Sequence, residues 1–256
     1  MISLSLLLVG ILDRIGTERR PASSVELTAI FLLASLIGMA RPPYGVIALL
    51  PLAIATGSAR RECSVVIGIC CCIAAWTIYA TKAASVDMNG ADAGAQIAYI
   101  FFHPLDIIPI ARRTLKEFSG NYFREFIGVL GWLDTALPKW FVRAVGVALA
   151  ASSLGVCAST AGPRPWLPLG IAVLGSGAVF GAQYLTWTRP LAPFVDGVQG
   201  RYFIPLAPVM ALGLPAAPKF IRPVLPWLSM AGIIFLATLV PAVVIRCIVY
   251  RYYLGG

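Results

Sequence analysis

The polar residues of this chain are few and fall into short strings, one of which is Gly197-Val198-Gln199-Gly200-Arg201-Tyr202. An arginine next to a glycine presents a planar, permanently charged fork while the backbone can approach closely, which suits a phosphate. The same Arg201 and Tyr202 also fit a snorkelling arginine and a belt tyrosine at a membrane surface. Gln199 either bonds a sugar hydroxyl or caps the turn, and Asp196-Gly197 is first of all a turn signal. Asp134, between Leu133 and Thr135, is the one candidate catalytic group. It would act as a base or orient an acceptor hydroxyl, or it caps a turn ahead of Pro138. His103, before Pro104, is placed to shuttle protons or is a structural histidine. Asp87, Asp92 and Asp106 match no metal-ligand spacing, and Asp92 lies in a Gly/Ala stretch that reads as flexible loop. Cys63, Cys70, Cys71, Cys72, Cys157 and Cys247 lie in or beside apolar runs, where packing is the expected role. With one histidine in the chain, no metal site is expected. No cofactor is identifiable, and a divalent cation stays open.

These groups have to be positioned by very apolar elements. Of 256 residues, 59% are hydrophobic and 12% charged, and the mean hydropathy is +0.85. Disorder is excluded, because it requires low hydrophobicity and high charge. A soluble globule could not hide this much apolar surface. The fold class expected is all-α: a polytopic helical membrane protein with roughly seven to eight spans at about 20 residues each. Apolar runs at residues 1–12, 25–40, 44–56, 63–81, 140–158, 166–187, 203–217 and 227–249 mark them. Residues 82–139 form the longest stretch without a clean span, with an amphipathic helix predicted at 112–126 from Leu115, Phe118, Tyr122 and Phe126. No internal repeat or linker divides the chain, so a single membrane domain is expected.

The net charge of +9 belongs to loops that set orientation and meet anionic lipid. No basic cluster is interleaved with aromatics on a soluble segment, so nucleic acid is not an expected partner. If all eight runs cross, one set of short loops holds Arg14, Arg19, Arg20, Arg60, Arg61, Arg164, Lys219 and Arg222. The opposite short loops hold only Arg41, Arg189 and Arg201. The positive-inside rule puts the first set in the cytoplasm. Arg41-Pro42-Pro43-Tyr44, residues 82–139 and residues 199–202 then share one outward face. The substrate-binding candidates on it are Arg41, His103, Gln199, Arg201 and Tyr202.

Three strings in this order, Arg41-Pro42-Pro43-Tyr44, GVLGWLDTALP at 128–138 and GVQGRYFIP at 197–205, resemble a bacterial family of predicted polytopic membrane proteins. His103-Pro104-Leu105 fits the same pattern, and the resemblance runs from about residue 25 to 210. The family's function is undefined. It is usually grouped with the GT-C superfamily of membrane glycosyltransferases, which take sugars from polyprenyl-phosphate carriers outside the cytoplasm. The resemblance implies a bacterial inner-membrane protein handling a polyprenyl-phosphate-linked sugar in envelope polysaccharide assembly. GT-C enzymes usually keep a catalytic acid in the first outward loop. The first outward connector here, residues 41–43, has no carboxylate. The chain therefore resembles the C-terminal half of such a protein, working with a complementary N-terminal half or a transferase partner. The competing expectation is a non-enzymatic membrane protein that binds a lipid carrier or partners a transferase or transporter. Transport itself has little support, because Glu26, Arg143 and Arg246 lie near ends of runs, where snorkelling accounts for them.

Overall fold

The computed structural model describes residues 1–54, 59–83, 90–130, 135–157, 166–214, 220 and 223–254. Helix α1 spans Ile2–Glu18 and α2 spans Ser24–Ala40. The apolar stripe Leu8, Leu12 and Ile15 carries α1 past residue 12, so residues 13–18 are helix rather than loop. An Arg14–Glu18 pair at 2.9 Å supports that last turn at i, i+4 spacing. Hydrogen bonds from Arg14 and then Arg20 hold the Glu18 carboxyl below its ordinary range. Arg19 ends the helix in a left-handed conformation, φ 50°. The Arg20 guanidinium then reaches Glu26 at 2.8 and 2.5 Å, while Ser23 and Glu26 form a capping box that starts α2.

The apolar run at 44–56 is not one α-helix. Pro42–Leu49 is a 3-10 helix that passes into the short α3, Leu50–Ile54. Two prolines at its start lack N–H groups and bring a fixed φ. Tyr44, Ile47, Leu50 and Ala53 are buried at every third position, with Ala48 and Pro51 beside them, a stripe close to the face a 3-10 helix aligns. The run at 203–217 is built the same way. The 3-10 helix Gly200–Leu206 passes into α9, Ala207–Leu212, and Gly200, Leu206, Val209 and Leu212 are buried. Both segments are enclosed by longer helices instead of facing lipid along their length.

Helix α4, Ala59–Ala83, buries Glu62, Val66, Ile69 and Ile73 on one stripe. It runs parallel to α2. Arg61 Nη2 donates to Ser24 Oγ at 3.3 Å near one end, and Ile73 fills the space beside Gly38 and Gly45 towards the other. Cys63, Cys70 and Cys71 are exposed on the opposite face, not packed inside. On a membrane helix that face meets lipid, where a thiol behaves as a small hydrophobe.

The stretch expected as an outward loop is mostly helical. Helix α5, Ala93–Phe102, is followed by the Pro104–Asp106 3-10 turn and α6, Ile107–Gly128, with a bend of 105°. Asp92 is not loop but the cap of α5, accepting from Ala95 N at 3.0 Å. The amphipathic helix expected at 112–126 is the body of α6. Two short strands follow, β1 Val129–Leu130 and β2 Thr135–Ala136, antiparallel with Val129 opposite Ala136.

Helices α7, Lys139–Cys157, and α10, Leu225–Val249, pack antiparallel. Phe141, Val142 and Val145 meet Phe235, Leu239 and Val243, and Ser229 Oγ donates to Ser152 O at 3.1 Å. Helix α8, Trp166–Thr186, lies against both 3-10 segments, with Gly175 beneath Leu206. The chain is an all-α polytopic membrane protein. Arg60–Ala80, Trp166–Thr186 and Leu225–Leu254 are each long and apolar enough to cross a bilayer, and the bent α5–α6 pair adds a fourth if it counts as one span. Ser24–Ala40 and Pro42–Ala53 are shorter apolar helices. Exposed Leu32, Leu36, Ile67, Val173, Leu174, Ile233 and Ile234 give the body the apolar outside that lipid requires.

Candidate functional site

The site is assembled where the two 3-10 segments begin. Gly200 lies so close to α6 that a Cβ there would overlap the Tyr122 carbonyl oxygen and the Phe126 nitrogen. Only a glycine permits this approach. It lets Gly200 N donate to Glu125 Oε2 at 2.7 Å. Tyr202 N then donates to the Gln199 carbonyl at 2.9 Å and opens the 3-10 helix. Arg201 is exposed, and its Nε donates to Gln199 Oε1 at 2.6 Å. The guanidinium therefore keeps its terminal nitrogens free of that bond.

The other 3-10 segment supplies Arg41. Its guanidinium carbon stands 4.2 Å from the centroid of the Tyr202 ring, a cation–π arrangement worth about 0.5–1 kcal/mol at an exposed position. Beneath it the Tyr44 hydroxyl donates to the Tyr202 carbonyl at 2.6 Å. Two arginines and an amide thus gather around Tyr202, with the Glu125 carboxylate beside them. Asp196 is the second carboxylate within electrostatic reach of Tyr122.

The loop that carries Gln199 is fixed by buried polar contacts. Gln96 Nε2 donates to Tyr184 O at 3.0 Å and Thr188 O at 2.7 Å. Thr188 Oγ1 accepts from Asp196 N, and Thr114 Oγ1 accepts from Val195 N. Gly197 takes φ 75° against the Trp187 indole, which meets the turn expected from Asp196-Gly197.

An aromatic wall of Tyr122, Phe180 and Phe203 stands behind the polar group, with centroids 5.7 to 6.3 Å apart. Phe180 also lines an apolar cavity of about 300 Å³ between α6 and α8, with Ile110, Leu115, Tyr184 and Val195. Phe180 thus connects the aromatic wall to the apolar chamber.

Residues 1–210 match a family model described as "Predicted membrane protein (DUF2142)". The chain belongs to the DUF2142 family. No curated protein and no solved structure matches it. The match takes in both 3-10 segments, α6 and the whole Arg41–Tyr202 group, and it ends before α10.

Four of the DUF2142 chain's expected site residues come together: Arg41, Gln199, Arg201 and Tyr202. His103 sits elsewhere. It caps α5, its ring lies 5.1 Å from that of Tyr99, and it lines a shallow cavity with Gln96, Pro190 and Leu191. Tyr99 gives its hydroxyl proton to Asp106 at 2.6 Å. Asp134 lies outside the described residues. Among the described residues, no group of three or more His, Cys, Asp or Glu is placed to hold a metal ion. The residue that sequence reasoning passed over is Glu125. It lies 75 positions from Gly200, on the packed face of α6, three residues from Tyr122 and seven from Phe118. Its one signal is an acid at helical spacing within the apolar stripe that carries Phe118 and Tyr122.

Proposed function

We propose that this protein is a GT-C-like membrane glycosyltransferase component that handles a polyprenyl-phosphate-linked sugar on the outer side of the bacterial inner membrane, in envelope polysaccharide assembly. The observation that carries this reading is the meeting of Arg41, Arg201 and Gln199 around Tyr202, with Glu125 on the neighbouring Gly200. The apolar cavity is connected to this group through the Phe180 ring, which meets Tyr122 and Phe203. A polyprenyl phosphate has two chemical parts, an anionic head and a long apolar tail. Arginine forks bind the head bidentately, and the chamber between α6 and α8 accepts the first isoprene units. In the transfer, the acceptor hydroxyl oxygen bonds to the sugar C1 as the bond from C1 to the carrier phosphate breaks. The acceptor proton goes to a carboxylate, for which Glu125 is our candidate among the described residues. The leaving phosphate gains charge, which the two guanidiniums stabilise.

One observation favours a second reading. Glu125 already accepts the Gly200 N–H, so its carboxylate also serves as a clamp, and the same site would then bind a carrier without turning it over. The residues of a partner transferase would supply the base. Release of polyprenyl phosphate from a polyprenyl-phosphate sugar, measured with the full chain in nanodiscs, separates the two. The transferase reading expects release to fall by about a hundredfold or more in Glu125→Gln, the usual share of a general base, with carrier binding retained. Release that is unchanged in Glu125→Gln, or absent in the unsubstituted chain, removes the transferase reading.

A further inference from the structure

A second cavity lies outside the site described above, at the same end of the molecule. Gly128 of α6 packs on Leu137 and Gly146 of α7 packs on Phe123, so the start of α7 stands beside the part of α6 that touches Gly200. The start of α7 faces the end of α10 across a cavity of about 500 Å³. Val243, Arg246, Cys247, Tyr250 and Arg251 line one wall. Their spacing of three and four puts all five on one face of the helix. Pro138 and Trp140 line the other wall. The helix changes to π geometry over Tyr250–Leu254, a rare form that recurs at functional sites.

We propose that this cleft binds the phosphate of an anionic membrane lipid. The lining includes two arginines and no carboxylate. Neither arginine takes part in the ion pairs of the described residues. The lining mixes apolar Val243 and Cys247 with Arg246 and Arg251, and with Trp140 and Tyr250, residue types that collect where a membrane helix meets the interface. Juxtamembrane basic residues draw anionic lipid, and a paired guanidinium set binds a phosphate diester by charge-assisted bonds. A free phosphate shares the head chemistry but gains nothing from the apolar floor. Half of this cleft lies beyond the DUF2142 match, which ends at residue 210, so the site is additional to the one proposed for the carrier.

The test is native mass spectrometry of the full chain in detergent, titrated with phosphatidylglycerol or phosphatidylcholine. The proposal expects phosphatidylglycerol to bind preferentially. It expects Arg246→Gln with Arg251→Gln to weaken that binding by about tenfold or more, with the melting temperature unchanged because both side chains are exposed. Arg112→Gln with Arg113→Gln, an exposed pair on α6, is the control and should change binding little. Inorganic phosphate at millimolar concentration should not displace the lipid. Equal loss in the control pair, equal binding of both lipids, or displacement by inorganic phosphate would each overturn the proposal.

Discussion

Gly200 is the residue on which the geometry of the site turns. A methyl group there would meet backbone atoms of α6, which cannot rotate away as a side chain end would. Gly200→Ala should therefore cost about 3 kcal/mol, the upper end of the range for overpacking. The Gly200–Glu125 hydrogen bond should go with it, and thermal unfolding in detergent reads the loss. Ala at Gly181, where a Cβ meets open space, should leave the melting temperature nearly unchanged. Arg201 and Tyr202 were legible from their neighbours, because a Gly-Arg pair in a polar string is unusual in so apolar a chain. Glu125 was not, since its partner is a backbone N–H on a distant segment, and such a contact leaves no periodic trace. Tyr44 was part of a recognised string, but its bond to the Tyr202 carbonyl comes from packing alone.

Among the elements, hydropathy located the apolar runs and misjudged two of their shapes. Residues 44–56 and 203–217 are short, bear prolines and are apolar on nearly every side. A uniformly apolar run carries no phase that separates a period of 3 from one of 3.6. The structure resolves it: Pro42–Leu49 and Gly200–Leu206 are both 3-10 helices. The long α6 was legible because one face is polar. The α7–α10 pair gives a quantitative test at this scale. Phe141 is 1% exposed and packs against α10. In a bilayer its removal exposes no water, so the loss is mainly that of packing. At roughly 24 cal/mol per Å³, a cavity of roughly 80–100 Å³ costs about 2 kcal/mol. Phe141→Ala should lower stability by that amount in equilibrium unfolding in mixed micelles, whereas Val147→Ala, on the exposed face, should change it by much less.

At the scale of the whole molecule, the short basic loops and the candidate site lie at opposite ends. Arg61 bonds to Ser24, beside the Arg20–Glu26 pair, so the basic loops around residues 19–24 and 60–61 share one end. Arg41, Gly200 and the α5–α6 bend lie at the other. The sharing of sides was legible from the alternation of runs, because the two 3-10 segments enter and return like spans even where they are not long helices. The positive-inside rule, counted over the short loops, expects the end with residues 19–24 and 60–61 in the cytoplasm. In a cysteine-free background, Arg189→Cys should react with a membrane-impermeant maleimide on intact cells, and Arg19→Cys only after lysis. The reverse pattern would turn the site inward and away from any extracytoplasmic sugar transfer.

The central claim is that the Arg41–Tyr202 group receives a carrier phosphate. Binding of a polyprenyl phosphate to the full chain in nanodiscs, compared between the unsubstituted protein and Arg201→Ala, tests it most directly. The account predicts a loss of about tenfold or more, near 1.4 kcal/mol. Equal binding by both, or binding by neither, would contradict it and leave Arg201 as a surface arginine held by Gln199.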